Sequence, residues 1–190
     1  MIRVDLQWVT AAVAGQLQGA NCSIAQVSTD SRQIPAECLF IALVGYNHDA
    51  HDFAPQAVQA GAMALLVERP LTDAICAKVP QVIVENSRYA LGLLGAAVKA
   101  EVAPKTIAIT GSSGKTTVKE MIAAILEVHV GPAHCIATKG NLNNQIGVPL
   151  SLLGLNENHQ VAVFELGMNH PGEIRILTDL ARPTVGLVHN

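Results

Sequence analysis

The chain has 190 residues, half of them apolar and only 14% charged, with 12 basic against 15 acidic residues and a net charge of −3. That balance predicts a well-buried core in one large or two small domains, and it leaves no basic surface for nucleic acid or anionic lipid. Aromatic residues are 3% of the chain, too few for a base-stacking platform. Cys22, Cys38, Cys76 and Cys135 stand far apart with no paired ligand spacing, so they read as reduced core thiols of a cytosolic protein. Asp5 interrupts any charged-then-apolar leader pattern. The longest apolar run, residues 89–98, is about half of what a membrane span needs. The expectation is a soluble, cytoplasmic protein without membrane insertion.

Leu6, Val9, Val13 and Leu17 recur at helical spacing and predict a helix over residues 5–17, ended by Gly19. Residues 38–44 read as a short apolar strand closed by Gly45, followed by a polar loop at 46–52. A small helix at 54–60 stops at Gly61, and strands come next at 64–67 and 81–84. Strands interleaved with helices suggest a small α/β unit of roughly 80 residues.

Residues 86–101 form an Ala/Leu-rich helix, and Pro104 separates it from the next strand. The domain boundary is placed just before this helix, giving domains 1–84 and 85–190. Beyond Pro104 the pattern is strand, loop, helix, repeated. Strand 106–110 leads to a helix with Val118, Met121, Ile122, Ile125 and Leu126 on one stripe, stopped by Gly131-Pro132. Strands at 134–138, 161–164 and 185–189 alternate with helices near 148–153 and 173–180. Near-continuous apolar strands between helices imply a mostly parallel sheet covered on both faces, hence an α/β fold. At Asn190 the chain stops directly after an apolar strand, which predicts a truncated second domain whose bare edge favours self-association.

Between strand 106–110 and its helix lies Thr110-Gly111-Ser112-Ser113-Gly114-Lys115-Thr116-Thr117. Glycines let backbone N–H groups curl round phosphate oxygens, and the helix N-terminus adds dipole and free donors. Lys115 would neutralise the terminal phosphates, and the Thr116 hydroxyl would ligate Mg²⁺. The standard phosphate loop has its first glycine at position 109, where this chain has Ile109, so the match is to a shorter G-x-x-G-K-T form. Thr117 and Glu120 also fit the capping box of an ordinary helix start.

Glu165 comes after the apolar strand Val161-Ala162-Val163-Phe164 and so sits at the carboxyl end of the sheet, where open α/β sheets bind ligands. A carboxylate there would hold Mg²⁺ against the γ-phosphate, or be a solvated strand-end charge. Asn141, Asn143 and Asn144 cluster between Gly140 and Gly147, a composition that on chemistry alone is usually a turn. Thr29 to Arg32 offers hydroxyls and a guanidinium suited to a diphosphate or a uracil edge, or forms a plain polar turn. His48, Asp49, His51 and Asp52 lack a third separated ligand and read better as a substrate-facing loop than as a metal site. His189 reads as a strand-end residue.

The short phosphate loop resembles that of the Mur ligase family, which joins amino acids or peptides to UDP-N-acetylmuramic acid in peptidoglycan synthesis. Further blocks in both domains carry the resemblance. Thr29-Asp30-Ser31-Arg32, Leu39-Phe40-Ile41-Ala42-Leu43 and His48-Asp49-Ala50-His51-Asp52-Phe53 are similar to the family's first domain. Gly140-Asn141-Leu142-Asn143-Asn144-Gln145-Ile146-Gly147-Val148-Pro149 is similar to a central-domain loop, and Glu165-Leu166-Gly167-Met168 with Gly172-Glu173-Ile174 to the metal-binding strand end. The resemblance implies a UDP-sugar-binding first domain joined to part of an ATP-binding domain. It is strongest to the member that adds D-alanyl-D-alanine to UDP-N-acetylmuramoyl-tripeptide, with ATP and Mg²⁺ as cofactors. It implies Gly111, Ser112, Ser113, Gly114, Lys115, Thr116 and Thr117 for ATP, with Lys115 and Glu165 as catalytic residues and Thr116 and Glu165 for metal. Thr29, Asp30, Ser31, Arg32, His51, Asn141 and Asn144 are implied for the muramoyl substrate. The full-length enzyme is expected to be monomeric, and the 190 residues alone inactive. The alternatives are a family member adding a single amino acid, a folylpolyglutamate-synthetase-like ligase, a P-loop switch or kinase, and a non-catalytic nucleotide or UDP-sugar binder.

Overall fold

After a two-residue strand, β1 (Val4–Asp5), the Asp5 carboxylate accepts the Trp8 N–H at 2.8 Å and so caps α1 (Leu6–Ala12), which buries Leu6 and Val9. The computed structural model describes residues 1–45 and 48–190; Tyr46 and Asn47, inside the polar loop expected at 46–52, lie outside the described residues. The helix is shorter than its apolar spacing predicts. Ala14 takes a left-handed φ of 51°, and Gln16–Gln18 leaves the helix as β2, pairing antiparallel with β7 (Gln81–Ile83). Leu17 therefore packs from a strand. The Gln-Leu-Gln alternation is the period-2 signal for it.

The rest of this unit runs β3 (Ser23–Ile24), β4 (Gln26–Ser28), β5 (Cys38–Ile41), a 3₁₀ turn at Ala50–Phe53, α2 (Ala54–Gln59) and β6 (Ala64–Val67). A second 3₁₀ turn at Cys76–Lys78 precedes β7, and α3 (Ser87–Val102) comes after it. One five-stranded sheet has the order β2-β7-β6-β5-β4, parallel except for β2, and β1 pairs separately with β3. Phe40, Ala54, Ala57, Leu65, Val67 and Cys76 form a core between sheet and α2. Each large side chain fully enclosed there contributes about 1.5–3 kcal/mol. All four cysteines are free thiols. Burial pushes Cys38 up to about 11 and Cys76 up to about 12, so both sit protonated in the interior.

Contacts divide the chain into two units, Met1–Leu94 and Gly95–Asn190, so the division falls inside α3, ten residues beyond the sequence boundary at 84/85. The second unit holds β8 (Lys105–Gly111), α4 (Lys115–Val130), a 3₁₀ turn at Pro132–His134, β9 (Cys135–Ala137) and α5 (Gly147–Leu153). It ends with β10 (Val161–Glu165), α6 (Glu173–Ala181) and β11 (Val185–His189). All four strands are parallel, in the order β11-β8-β10-β9. The fold is α/β with mostly parallel strands, as expected.

The buried stripe of α4 differs from the expected one. Val118, Ile122, Ala123 and Leu126 pack with Ile109 and Val163, while Met121 (61%) and Ile125 (67%) stay exposed. The stripe is turned by one position, and Lys119 sits in its middle. Val185, Leu187 and Val188 of β11 are exposed, and among the described residues that strand pairs only with β8. Among the described residues no helix is long and apolar enough to cross a membrane.

Candidate active site

The loop from β8 to α4 is shaped by two glycines that no other residue could replace unstrained. Gly111 has φ +146°, and a Cβ on it would lie 1.6 Å from the His189 carbonyl oxygen. Gly114 has φ +71° and would meet the His189 ring at 2.7 Å. Gly114 is also the N-cap of α4, with no side-chain cap hydrogen bond. The Thr117/Glu120 capping box is thus not what starts this helix. Among the described residues its first-turn N–H groups meet no side-chain acceptor, the arrangement that suits an anion. Lys115 reaches back across the loop, donating from Nζ to the Gly111 carbonyl at 2.7 Å. Ser112 donates to the Asn190 side chain at 3.0 Å.

Parallel pairing sets Glu165 beside Ile109, so the end of β10 lies next to the start of the loop. Glu165 is only 3% exposed. Its Oε2 accepts the Thr116 hydroxyl at 2.8 Å, its Oε1 accepts the Asn143 amide at 2.8 Å, and its own N–H donates to the Thr138 hydroxyl at 2.9 Å. A solvated strand-end charge would show none of this. One carboxylate and one hydroxyl beside a phosphate loop are hard oxygen donors. They suit Mg²⁺, which takes one or two carboxylates and completes its octahedron with phosphate oxygens and water. Thr116 and Glu165 are the residues that would hold it. No group of three His, Cys, Asp or Glu gathers among the described residues.

Of the loop asparagines, Asn143 reaches the site and Asn144 does not. The Asn144 side chain accepts the N–H groups of Ile146 (3.0 Å) and Gly147 (2.8 Å), starting α5, whereas Asn141 contributes its carbonyl to the Asn143 N–H at 2.8 Å. Glu173 closes the loop after β10, accepting the N–H groups of Asn169 (2.7 Å) and His170 (3.1 Å). Those bonds hold its carboxyl below the usual range.

In the first unit, Asp30 and Arg32 form a two-bond pair, Nε to Oδ1 at 2.9 Å and Nη2 to Oδ2 at 2.8 Å, with Arg32 exposed. The guanidinium bonds hold Asp30 at about 2. Ser31 is buried and donates to Gln56 at 3.2 Å, and Thr29 is half-buried. His51 is 3% exposed: Nδ1 lies 2.5 Å from Asp49 Oδ1, and Nε2 accepts the Glu68 N–H at 2.8 Å. With Nε2 accepting, the ring proton belongs on Nδ1, and no ring nitrogen is left for a ligand. Arg69 completes the cluster on Asp49 Oδ2 at 2.9 Å.

Residues 23–99 match the Mur ligase family catalytic domain, and residues 109–190 match the Mur ligase middle domain. Over its whole length the chain is 49% identical to the UDP-N-acetylmuramoyl-tripeptide–D-alanyl-D-alanine ligase of Escherichia coli (strain K12), of which it spans 40%. The chain belongs to the Mur ligase family. Its structure superposes with a TM-score of 0.87, at 42% identity, on the UDP-N-acetylmuramoylalanyl-D-glutamyl-2,6-diaminopimelate–D-alanyl-D-alanyl ligase of Acinetobacter baumannii, covering 96% of this chain and 40% of that one. The TM-score is 0.73, at 30% identity, to the MurF ligase of Thermotoga maritima solved in complex with ADP, covering 86% and 37% respectively. The chain thus spans about 40% of the length of the curated relatives it matches.

The sequence singles out Glu165 and the loop Gly111 to Thr117, which the structure sets side by side, but it does not show that Asn143, Thr138 and Lys119 join the same cluster. An asparagine triplet carries no mark of which amide points inward, and a threonine ending a strand looks like any other. Lys119 did carry a signal, a lysine between Val118 and Ile122 on the inward stripe.

Proposed function

We infer that the chain supplies the UDP-sugar-binding domain and part of the ATP-binding domain of a ligase that joins D-alanyl-D-alanine to UDP-N-acetylmuramoyl-tripeptide. The observation that carries this is Glu165, buried at a parallel sheet end and bonded to Thr116 of a phosphate loop. The relatives' names, and the ADP complex of a structural neighbour, support the same reading. ATP and UDP-linked substrates are cytoplasmic metabolites, which sets the reaction in the cytoplasm.

In the reaction, a carboxylate oxygen of the tripeptide attacks the γ-phosphorus, the bond to the β-phosphate oxygen breaks, and ADP leaves. The amine of D-alanyl-D-alanine then attacks the acyl carbon; phosphate departs, and the nitrogen loses its proton as the amide forms. Bound Mg²⁺ would neutralise the oxygens of the transferring phosphoryl group. The first-turn N–H groups of α4 bind phosphate, and Lys115 swings from the Gly111 carbonyl to the terminal phosphates. The exposed Arg32, with Thr29, meets the UDP moiety, and His51 orders the turn that begins at Asp49.

Phosphate release from Mg·ATP, dependent on both UDP-N-acetylmuramoyl-tripeptide and D-alanyl-D-alanine, tests the reading in the full-length ligase. Lys115→Ala removes one preorganised charge donor and should cost on the order of 3–4 kcal/mol, a rate loss of about a hundredfold or more. Near-normal turnover of that variant at saturating nucleotide would count decisively against it.

A further inference from the structure

The helix after the phosphate loop encloses a charge. On α4 only Lys119 and Ala123 are buried, and Lys119, at 1% exposure, is among the largest fully buried side chains. An ammonium taken out of water is unfavourable unless it is well paired. Here Nζ donates to the Thr138 carbonyl at 2.7 Å and meets Glu120 Oε1 at 2.7 Å. A methionine would fill the same space between helix and sheet with no charge to desolvate, so packing alone does not explain a lysine.

What the ammonium gains is a grip on Thr138. That residue comes directly after β9, donates its N–H to the Val163 carbonyl of β10 at 3.0 Å, and offers its hydroxyl to the Glu165 N–H at 2.9 Å. Three residues before Lys119 on the same helix, Thr116 binds the Glu165 carboxylate at 2.8 Å. Helix α4 therefore reaches Glu165 twice: directly through Thr116, and through Lys119 by way of Thr138. Lys119 is too deeply enclosed to meet a nucleotide itself.

We propose that Lys119 is a positioning residue for the cation site, fixing Thr138 and thereby the Glu165 backbone so that the carboxylate and the Thr116 hydroxyl face one metal ion. The inference rests on Thr116 and Glu165 as the Mg²⁺ ligands. Such outer supports commonly set metal affinity rather than ligand identity.

The test measures ADP affinity of the full-length ligase with Mg²⁺ and with EDTA, and takes the ratio as the metal's contribution. Lys119→Met keeps the stem and removes the ammonium. Thr138→Val removes the hydroxyl and keeps the carbonyl that Lys119 holds. Each should lower the ratio by about tenfold or more while metal-free ADP affinity stays within about twofold. The double variant should fall no further than the worse single one, because both act along one path.

An unchanged ratio in the folded variants overturns the proposal. So does an equal loss with and without Mg²⁺, which marks a merely structural lysine, and so do additive losses. Should Lys119→Met not fold, Thr138→Val decides alone by the same ratio. If the wild type shows no Mg²⁺ effect and Lys115→Ala leaves ADP binding intact, the ligase reading fails and this inference with it. If the wild-type ratio is large and falls in Glu165→Gln but not in the Lys119 and Thr138 variants, only the role of Lys119 is lost.

Discussion

Residues whose chemistry is written in adjacent letters are legible in the sequence itself. Gly111 to Thr117 reads as a phosphate loop because turn, charge and hydroxyl lie within one helical start, and Glu165 stands out as an acid ending an apolar strand. Asn143 is hidden because backbone geometry chooses among the three asparagines: Asn144 is engaged by the N–H groups of Ile146 and Gly147, which leaves Asn143 to reach Glu165. The two loop glycines separate at this scale. At Gly111 an added Cβ meets backbone, the His189 carbonyl, from a φ of +146°, so nothing can swing aside. At Gly114 the obstacle is the His189 side chain, which can rotate away. Gly111→Ala should therefore destabilise the second unit by at least about 3 kcal/mol, clash added to strain. Gly114→Ala should cost only the left-handed strain, about 1–2 kcal/mol. Urea unfolding of both variants checks the order; equal midpoints would mean β11 does not sit against the loop as described.

Among the elements, strands β6 and β11 and helix α5 match their sequence pattern to within a residue, because each is a short apolar run with clear punctuation. The failures come where two periods compete. Val13 and Leu17 fit a helix, yet Ala14 turns left-handed and β2 joins the sheet, since pairing with β7 satisfies backbone groups that an extended α1 would leave at the sheet edge. The 3₁₀ turn Ala50–Phe53 depends on a cluster rather than on its own letters. Burial opposes the charge on Asp49, but hydrogen bonds from the His51 backbone and ring, then from Arg69, outweigh it and hold the carboxyl at about 2. A folded pKa below the unfolded value of about 3.9 stabilises the protein above that pH and is lost as pH falls toward 2. Urea unfolding of wild type and Asp49→Asn should differ most above about pH 4, with the gap closing between about pH 4 and pH 2. A constant gap across that window would show that Asp49 contributes by shape and not by charge.

At the scale of the whole molecule, two α/β units each enclose a core of their own, around Phe40 and Leu65 in one and Ile109 and Val163 in the other. The sequence pattern sets their border at the start of α3. The contacts set it at Leu94 and Gly95, within a helix that has buried residues at Ala90, Leu91, Leu94 and Val98. Gly92 and Gly95 lie at that point, yet α3 runs through both, so the division inside the helix is a property of packing and not of a break in the chain. Separate cores imply separable binding. Arg32 is exposed and pre-oriented by its two bonds to Asp30 within one turn, so removing its guanidinium should leave the fold intact. In the full-length ligase, Arg32→Ala should weaken binding of the UDP-linked substrate by about tenfold, roughly one lost charge-assisted contact, with ADP affinity nearly unchanged. Lys115→Ala should do the reverse, since its ammonium bonds the Gly111 carbonyl within the second unit. Calorimetric titration of each ligand into each variant gives four affinities. If Arg32→Ala weakens both ligands equally in a folded protein, the first unit is not an independent UDP-sugar site, and the division of labour between the two cores is wrong.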